Sequence, residues 1–427
     1  MFPSPFSFAF SGAFPYYSRL MNSRREAIFV VTHWLESCDF PDRMIPDGDN
    51  HAFITDLVYT TIRRYRTLAW VLGQLVAKMP KGETEAALLV GAAQILFMPS
   101  VVEYAAVNET VAAAKLTSKQ TAGLVNAVLR NLIRQRDPLL EQLAKQPLGI
   151  RASHPDSLVT RWLERFDAAE VAALCDWNNQ PAETYLAWAP GAESPFTRLP
   201  RGTRVESLPG YAEGRFIVQD PATAAAVSLM DLRPGLNVLD ACAAPGGKAI
   251  QIAWRMDAHQ AGGRLVALDL YEDRLATLRE NLARTRLSGV TVAQASLADD
   301  PDGIRAAYGL FDRILLDVPC SNTGVLRRRP DARWRWTTKR MKKLCETQAK
   351  LLEAALTLLA PGGRIIYSTC SLEPEENRKQ VTALRKAHPE IICTGVEERI
   401  PTRSQTDGVF ACALERGTVH DGQGESL

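Results

Sequence analysis

The sequence has no short paired spacing of cysteines. Its eight cysteines are spread over 427 residues, at Cys38, Cys175, Cys242, Cys320, Cys345, Cys370, Cys393 and Cys412. Zinc ribbons need close cysteine pairs and small disulfide scaffolds need dense cysteines, so this spacing argues against both. Reduced thiols in a cytoplasmic protein fit the pattern better, and we expect no bound metal ion.

The sequence also lacks a long apolar run and an excess of either charge. No stretch approaches the roughly 20 apolar residues of a membrane-spanning helix, so we expect no membrane association. The net charge of +2 means that only local patches could attract nucleic acid. Residues 1–20 are apolar but lack the basic start and unbroken apolar core of a secretory signal. Met21 precedes a polar start and offers an alternative initiator, which would leave residues 1–20 untranslated.

The composition is that of a globular protein with several domains, since 46% of residues are hydrophobic and 23% are charged. Apolar residues recur at spacings of three and four between Ser23 and Arg136, which predicts an all-helical domain. Proline-rich breaks follow, and after Pro234 apolar strands alternate with helices, which is typical of a parallel α/β sheet. We therefore predict an extension (1–21), an all-α domain (22–145), a connecting α+β subdomain (146–230), an α/β domain (231–416) and a polar tail (417–427).

The first strand of the predicted sheet runs into a turn of small residues, DACAAPGGK, from Asp240 to Lys248. Neither phosphate-binding motif is present, because Cys242 replaces the first glycine of GxxxxGK[ST] and GxGxxG does not occur. The second strand ends near Asp269, about twenty residues later, where a carboxylate can bind both hydroxyls of a ribose. A small-residue turn followed by such a carboxylate fits an adenosyl cofactor, while a helix cap is the plainer interpretation of Asp269.

DACAAPGGK resembles the cofactor motif of the RNA 5-methylcytosine methyltransferases, a Rossmann-like family that uses S-adenosylmethionine. The resemblance implies a ribose contact from Asp269, and the family aspartate that contacts adenine corresponds here to Ser296. The residues that the resemblance places along the cofactor are Cys242, Ala243, Ala244, Pro245, Gly246, Gly247 and Lys248, with Asp317 beside them.

Two cysteines follow the fourth and fifth strands of the sheet, in DVPCS and STCS. The carboxyl ends of parallel strands share one edge, so Asp317, Cys320 and Cys370 are expected to meet beside the cofactor turn. Carbon-5 of cytosine becomes nucleophilic once a thiolate adds to carbon-6, and cysteine suits that addition. Residue chemistry allows either thiol to attack, and both cysteines are alternatively small buried hydrophobic residues.

The family resemblance assigns Cys370 as the nucleophile, Cys320 as the group that assists product release and Asp317 as the contact to cytosine. Asn322 and Val318 depart from the residues usual in the family. Three glutamates with Pro374 predict a helix start just beyond Cys370, whose N-terminus would favour a thiolate.

A basic stretch from Arg327 to Lys343 carries nine cations and one acidic residue. Its position after the Cys320 loop suggests phosphate neutralisation and base stacking, although a solvated helix is the alternative. The predicted RNA-binding residues are Arg327, Arg328, Arg329, Arg333 and Trp334.

The helices from Ser23 to Arg136 resemble a NusB-type RNA-binding domain. That domain ahead of this methyltransferase resembles a bacterial subfamily that methylates small-subunit (16S) ribosomal RNA. We accordingly expect a cytoplasmic monomer with this RNA as its substrate. A transfer RNA cytosine-5 methyltransferase and a catalytically silent assembly factor are the alternatives.

Overall fold

The computed structural model describes residues 23–38, 40–256 and 263–417. The chain divides into two compact units, Met1–Arg165 and Phe166–Leu427. The predicted extension at 1–21, with Met21, lies outside the described residues, as does the tail beyond residue 417. Within the described ranges, no helix has the length and apolar character needed to cross a membrane.

The first unit is helical, as predicted. Its helices are α1 (Ser23–Ser37), α2 (His51–Arg63), α3 (Tyr65–Gly73), α4 (Glu83–Phe97), α5 (Glu103–Lys115), α6 (Lys119–Ala144), α7 (Leu148–Arg151) and α8 (Asp156–Leu163). Apolar faces of these helices form the core, where Leu57 and Leu88 are fully buried. A Cβ atom at Gly91 would lie 2.4 Å from Leu129 Cδ1, so glycine allows α4 and α6 to pack closely.

Ten strands are found among the described residues of the second unit. They are β1 (Tyr185–Trp188), β2 (Phe196–Arg198), β3 (Phe216–Val218), β4 (Asn237–Asp240), β5 (Arg264–Asp269), β6 (Val290–Gln294), β7 (Phe311–Asp317), β8 (Leu359–Thr369), β9 (Ile391–Arg399) and β10 (Val409–Arg416). Its helices are α9 (Ala168–Asn179), α10 (Ala224–Ser228), α11 (Gly247–Met256), α12 (Glu272–Arg284), α13 (Pro301–Tyr308), α14 (Ala332–Arg335), α15 (Thr338–Leu358), α16 (Arg378–Ala387) and α17 (Pro401–Ser404).

Seven of these strands form one sheet in the order β6-β5-β4-β7-β8-β10-β9. Strands β4 to β8 pair in parallel, as predicted, whereas β10 pairs antiparallel with both β8 and β9. Alternate residues of β4 face opposite sides, so that Leu239 packs in the core that α15 covers and Val238 in the core that α11 and α12 cover. The α/β class is confirmed, and the two antiparallel strands are an addition to it.

A smaller antiparallel sheet, β2-β1-β3, precedes the large one. Arg284 of α12 donates hydrogen bonds to the carbonyl oxygens of Tyr211 and Phe216, so this segment is attached to the part of the unit that carries the large sheet. The predicted connecting subdomain (146–230) contributes to both compact units, because the division falls after Arg165. The domain boundaries drawn from the sequence stay predictions.

Parallel pairing brings the carboxyl ends of four strands to one edge of the sheet. Strands β4, β5 and β7 end in Asp240, Asp269 and Asp317, and β8 ends in Thr369, just before Cys370. Residues far apart in the sequence are thereby gathered along this edge.

Candidate active site

The turn between β4 and α11 is fixed by backbone hydrogen bonds to two neighbouring strands. Ala241 N–H donates to Leu315 O (3.0 Å), and Ala243 N–H donates to Leu268 O (2.8 Å). Gly246 has a φ of +108°, and a Cβ atom there would lie 2.4 Å from Leu278 Cδ1. Both the backbone conformation and the close packing therefore require glycine at this point of the turn.

A cavity of about 410 Å³ opens beside this turn. Its walls include the turn, the strand ends and the segment before β4, contributed by Val205, Glu206, Tyr211, Ile217, Val218, Gln219, Thr223, Asp240, Cys242, Ala243, Ala244, Pro245, Gly247, Lys248, Ile250, Asn281, Arg284 and Asp317. The structure thus brings the predicted turn residues other than Gly246, together with Asp317, to one cavity, which Asp269 does not line. The segment before β4 supplies walls that were not predicted as part of the site.

Asp269 lies next to the turn, but its carboxylate bonds to protein. It accepts a hydrogen bond from Ala244 N–H (3.3 Å) and forms an ion pair with Arg274 (3.3 Å). Arg274 also donates to Ala244 O (2.8 Å), so the pair braces the turn. Arg274 was missed in the sequence because it stands on α12 without a recognisable motif. A ribose contact by Asp269 stays a prediction.

Ser296 follows β6, and its hydroxyl donates to Asp299 Oδ2 (2.6 Å). Asp300 accepts a hydrogen bond from Gly303 N–H and caps α13, so its carboxylate has a local structural role. The serine and Asp299 are therefore coupled, while neither lines the cavity described above.

Three charged groups meet at the base of the cavity. Lys248 Nζ lies 2.6 Å from Asp317 Oδ2. Burial has the largest single effect and lowers the pKa of Lys248, but the attraction and hydrogen bond of Asp317, together with Cys370 and Asp240, leave the net pKa raised, which keeps the ammonium charged. Asp240 is fully buried, and neither carboxylate oxygen has a well-formed hydrogen-bond partner among the described residues. Burial raises the pKa of Asp240 to about 7, and repulsion from Asp317 adds to this rise.

The two predicted cysteines lie together at the ends of β7 and β8, with their Sγ atoms 3.2 Å apart. Cys370 S–H donates to Asn322 Oδ1 (3.1 Å), and Asn322 Nδ2 donates to Cys320 O (3.1 Å). The hydrogen bond to Cys370, followed by burial, raises the pKa of Cys320 well above its usual value. Cys320 therefore keeps its proton, and the pair is arranged for one thiolate at a time.

The expected helix start just beyond Cys370 is wrong. Helix α16 begins only at Arg378, and residues 374–377 form a turn before it. The glutamate at the end of that run, Glu376, is fully buried and accepts hydrogen bonds from Ser321 and Ser371, which follow the two cysteines. Sequence reasoning missed this contact because Glu376 and Ser321 are 55 residues apart.

From Arg327 to Arg335 the basic stretch is buried or half-buried, which corrects the prediction that these residues form an exposed cationic surface. Arg327 and Arg333 are only 2% and 0% exposed. Arg333 donates to Asn179 Oδ1 (2.9 Å) and Asn178 O (3.0 Å), so its guanidinium group forms its hydrogen bonds inside the second unit.

Arg328 and Arg329 have carboxylate partners as well. Arg328 pairs with Asp220 (2.6 Å) and Asp407 (2.5 Å), and Arg329 lies 3.5 Å from Asp331. Trp334 is only partly exposed. The four arginines of the predicted RNA-binding set are therefore buried or held by neighbouring protein groups, which a run of cations in sequence does not show.

The exposed cations lie further along, at the start of α15. They are Lys339, Arg340, Lys342 and Lys343. Arg340 also lines a narrow cleft that reaches Cys320 and Asn322. Exposed positive charge is thus found beside the cysteine pair, about ten residues beyond the predicted positions.

The remaining cysteines form no cluster with metal-ligand geometry. Across the described ranges, no group of three or more His, Cys, Asp or Glu side chains is arranged to hold a metal ion. Cys393 and Cys412 approach each other on β9 and β10, with Sγ atoms 2.9 Å apart, and all eight cysteines are free thiols.

Comparison with known proteins identifies both parts of the chain. Residues 227–415 match the family model described as 16S rRNA methyltransferase RsmB/F, and residues 21–134 match the NusB family. Ribosomal RNA small subunit methyltransferase B of Serratia proteamaculans is 34% identical over 87% of this chain and 92% of its own length. The protein of the same name from Vibrio cholerae is 34% identical over 86% of this chain and 90% of its own.

Solved structures agree on the fold. The crystal structure of PH0851 is 22% identical, with a TM-score of 0.74 over 92% of this chain and 98% of its own. A methyltransferase homologue from Pyrococcus horikoshii, 24% identical, has a TM-score of 0.53 over 64% of this chain and 98% of its own. From the curated relatives and the matched models, the chain belongs to the RsmB/F family of S-adenosylmethionine-dependent 16S ribosomal RNA methyltransferases, with a NusB domain at its N-terminal end.

Proposed function

We propose that this protein transfers a methyl group from S-adenosylmethionine to carbon-5 of a specific cytosine in small-subunit ribosomal RNA, through a covalent adduct on Cys370. The observation that carries the proposal is the cysteine pair. Two thiols 3.2 Å apart lie at the strand edge that also holds Asp317 and the cavity beside the glycine turn.

The cavity fits the cofactor in shape and charge. The glycine turn admits a ligand close to the backbone, and a Cβ atom at Gly247 would lie 2.9 Å from Gln219 Nε2. Buried Asp240, without a well-formed partner among the described residues, is a counter-ion for a positively charged sulfonium. When bound, S-adenosylmethionine supplies an electrophilic methyl group. The residues from Cys242 to Lys248 would hold it, with Asp269 at the ribose and Ser296 toward the adenine.

The chain's own residues supply the activation of cytosine. The Cys370 thiolate adds to carbon-6 while Asp317, which lines the cavity, faces N3 and the exocyclic amine of the base. The electron pair of the 5,6 double bond becomes available at carbon-5, which then takes the methyl group. Loss of the carbon-5 proton and expulsion of the Cys370 thiolate restore the aromatic base. Cys320 assists this release.

The hydrogen bonds of the thiol pair support Cys370 as the nucleophile. Because Cys370 directs its own S–H toward Asn322, the Cys320 S–H is left to donate to Cys370 Sγ. A thiol that receives a hydrogen bond is the one whose thiolate is stabilised. The raised pKa of Cys320 agrees with this direction, since Cys320 then remains the proton donor.

The RNA substrate is inferred from the relatives, whose names specify the small ribosomal subunit. The target base must leave its stack to reach a thiol at the sheet edge, so a single-stranded loop is the expected substrate. The exposed cations at the start of α15, together with the NusB domain, are the surfaces that we assign to phosphate contacts. We propose that the enzyme acts in the cytoplasm, as a monomer.

The roles of the two cysteines are tested by alanine variants. Cys370→Ala should abolish methyl transfer to unmodified small-subunit RNA while leaving cofactor binding intact. Cys320→Ala should accumulate a covalent protein–RNA adduct, visible on a denaturing gel. Cys345→Ala, in α15 and outside the pair, is the matched control and should behave as wild type. An adduct with Cys370→Ala would reverse the two roles.

The substrate is tested by mapping 5-methylcytosine in the ribosomal and transfer RNA of a deletion strain. Loss of one 5-methylcytosine from small-subunit RNA supports the proposal. Loss of a 5-methylcytosine from transfer RNA would instead make the protein a transfer RNA methyltransferase. If wild-type protein transferred no labelled methyl group to either RNA, an assembly factor without activity would be the better description.

A further inference from the structure

A buried carboxylate lies beneath the two cysteines and contacts the residues that follow both of them. Glu376 is fully buried in the turn before α16. Its Oε1 atom accepts hydrogen bonds from Ser321 N–H (2.8 Å) and Gln348 Nε2 (3.1 Å). Its Oε2 atom accepts from the hydroxyls of Ser371 (2.5 Å) and Ser321. One carboxylate therefore joins the loop after β7 to the loop after β8.

The residues before each cysteine are held by neighbours of the same carboxylate. Gln348 Nε2 also donates to Pro319 O (3.0 Å), on the other side of Cys320. Asn377 accepts from the Thr369 hydroxyl (2.5 Å) and donates to Ser371 O (2.8 Å), so it spans Cys370. Both cysteines are thus bracketed on either side by a small set of buried side chains.

We propose that Glu376 is a positioning residue for methyl transfer, which fixes the Cys320 and Cys370 thiols at the separation that the reaction needs. This inference rests on the proposed roles of the two cysteines. Burial of a carboxylate is costly unless several donors compensate it, so apolar packing does not account for a glutamate here. Its donors come from both cysteine loops, and its loss would release one loop from the other.

The charge of Glu376 has a second effect on the pair. After the hydrogen bond to Cys370 and burial, repulsion from Glu376 also raises the pKa of Cys320. Burial raises the pKa of Glu376 itself, against the opposing effect of its hydrogen bonds from Ser321 and Ser371. Glu376 therefore acts on geometry first and helps Cys320 to retain its proton.

Disulfide formation measures the separation of the thiols without RNA or cofactor. Diamide oxidises two thiols to a disulfide and is reduced to the hydrazine by the two hydrogen atoms. The Cys320–Cys370 bond is then quantified by peptide mass spectrometry. Glu376→Ala should slow the formation of this disulfide by at least about tenfold. It should also lower kcat for methyl transfer by about 100-fold, with KM for RNA unchanged. The Cys393–Cys412 pair, 2.9 Å apart in the same molecule, is the internal reference and should oxidise at an unchanged rate.

Two substitutions separate positioning from general damage. Glu376→Gln keeps a carbonyl oxygen that accepts from Ser321 N–H, and its Nε2 can donate hydrogen bonds to the serine hydroxyl oxygens. This variant should therefore restore most of the oxidation rate and of kcat. Glu375→Ala changes the adjacent glutamate, which pairs with Lys379, and should match wild type. Should Glu376→Ala fail to fold, Ser371→Ala removes, of the hydrogen bonds to Glu376, only the one from the Ser371 hydroxyl. This variant should lower both the oxidation rate and kcat.

Wild-type oxidation of Cys320–Cys370 in a folded Glu376→Ala protein, with kcat unchanged, would overturn the positioning role. Slower formation of the Cys320–Cys370 disulfide in Glu376→Ala, found together with a wild-type protein that methylates no RNA, would support the positioning role and refute the proposed function. The two conclusions therefore fail separately.

Discussion

Asp240 is expected to make the protein progressively less stable as the pH rises from about 4 to 7. The carboxylate is fully buried at the end of β4, and its pKa is raised from 3.8 to about 7, by burial first and by Asp317 second. Between these two values the folded state binds more protons than the unfolded state. The free energy of unfolding must then fall as pH rises through this window and level off above pH 7.

The magnitude follows from the width of that window. At about 1.4 kcal/mol for each pH unit, the full span corresponds to about 4 kcal/mol, and the part between pH 5 and pH 7 to about 3 kcal/mol. Asp240→Asn removes the charge and keeps the side-chain shape. Relative to wild type, this variant should gain about 3 kcal/mol more stability at pH 8 than at pH 5.

Urea denaturation of the cofactor-free protein at pH 5, 6, 7 and 8, followed by tryptophan fluorescence, measures this difference. Asp302→Asn is the matched control, since Asp302 is an exposed aspartate on α13, and its effect should not depend on pH. A difference between Asp240→Asn and wild type that stayed constant from pH 5 to 8 would refute the reasoning. Calorimetry should show weaker binding of S-adenosylmethionine by Asp240→Asn, because a counter-ion to the sulfonium has been removed.

Two further substitutions test the arginines and the exposed cations. Arg328→Ala leaves two buried carboxylates, Asp220 and Asp407, without their cation and should destabilise the second unit by about 3 to 5 kcal/mol in urea denaturation; a loss below 1 kcal/mol would make the pairs dispensable. Arg340→Ala should reduce the slope of log K against log salt for single-stranded RNA by about 0.7, as expected for one lost phosphate contact. An unchanged slope in filter binding would remove Arg340 from the RNA surface, and Arg305→Ala, an exposed cation on α13, is its control.

The parts of the fold that depend on local pattern were predictable. Apolar periodicity identified the helical unit and strands β4 to β8, and the small-residue turn located the cavity because its chemistry lies within nine consecutive residues. The antiparallel strands β9 and β10 were not predicted, since strand direction in a sheet is set by long-range pairing. Local sequence therefore gave the strand ends but not the full sheet.

For a related reason, the sequence did not show which cations of the basic stretch stay exposed. Charge density along the sequence shows how many cations are present. Whether a cation is available to bind RNA depends on the partners that folding brings near it. Arg333 meets Asn179 from 154 residues away, and Arg328 meets Asp220 from 108 residues away. The lysines at the start of α15 are exposed, but their neighbours in sequence do not distinguish them from the buried arginines.

The same argument explains why the reacting groups were easier to predict than the groups that support them. Cys320, Cys370 and Asp317 each stand at the end of an apolar strand, a position that sequence shows directly. Glu376 does not, because its function depends on donors from two separate loops. A reacting group must reach the substrate at the sheet edge. A supporting group need only contact the loops that carry the reacting groups, so many positions in the chain could supply it. Contact geometry, and not residue type, is what distinguishes Glu376 from the adjacent Glu375.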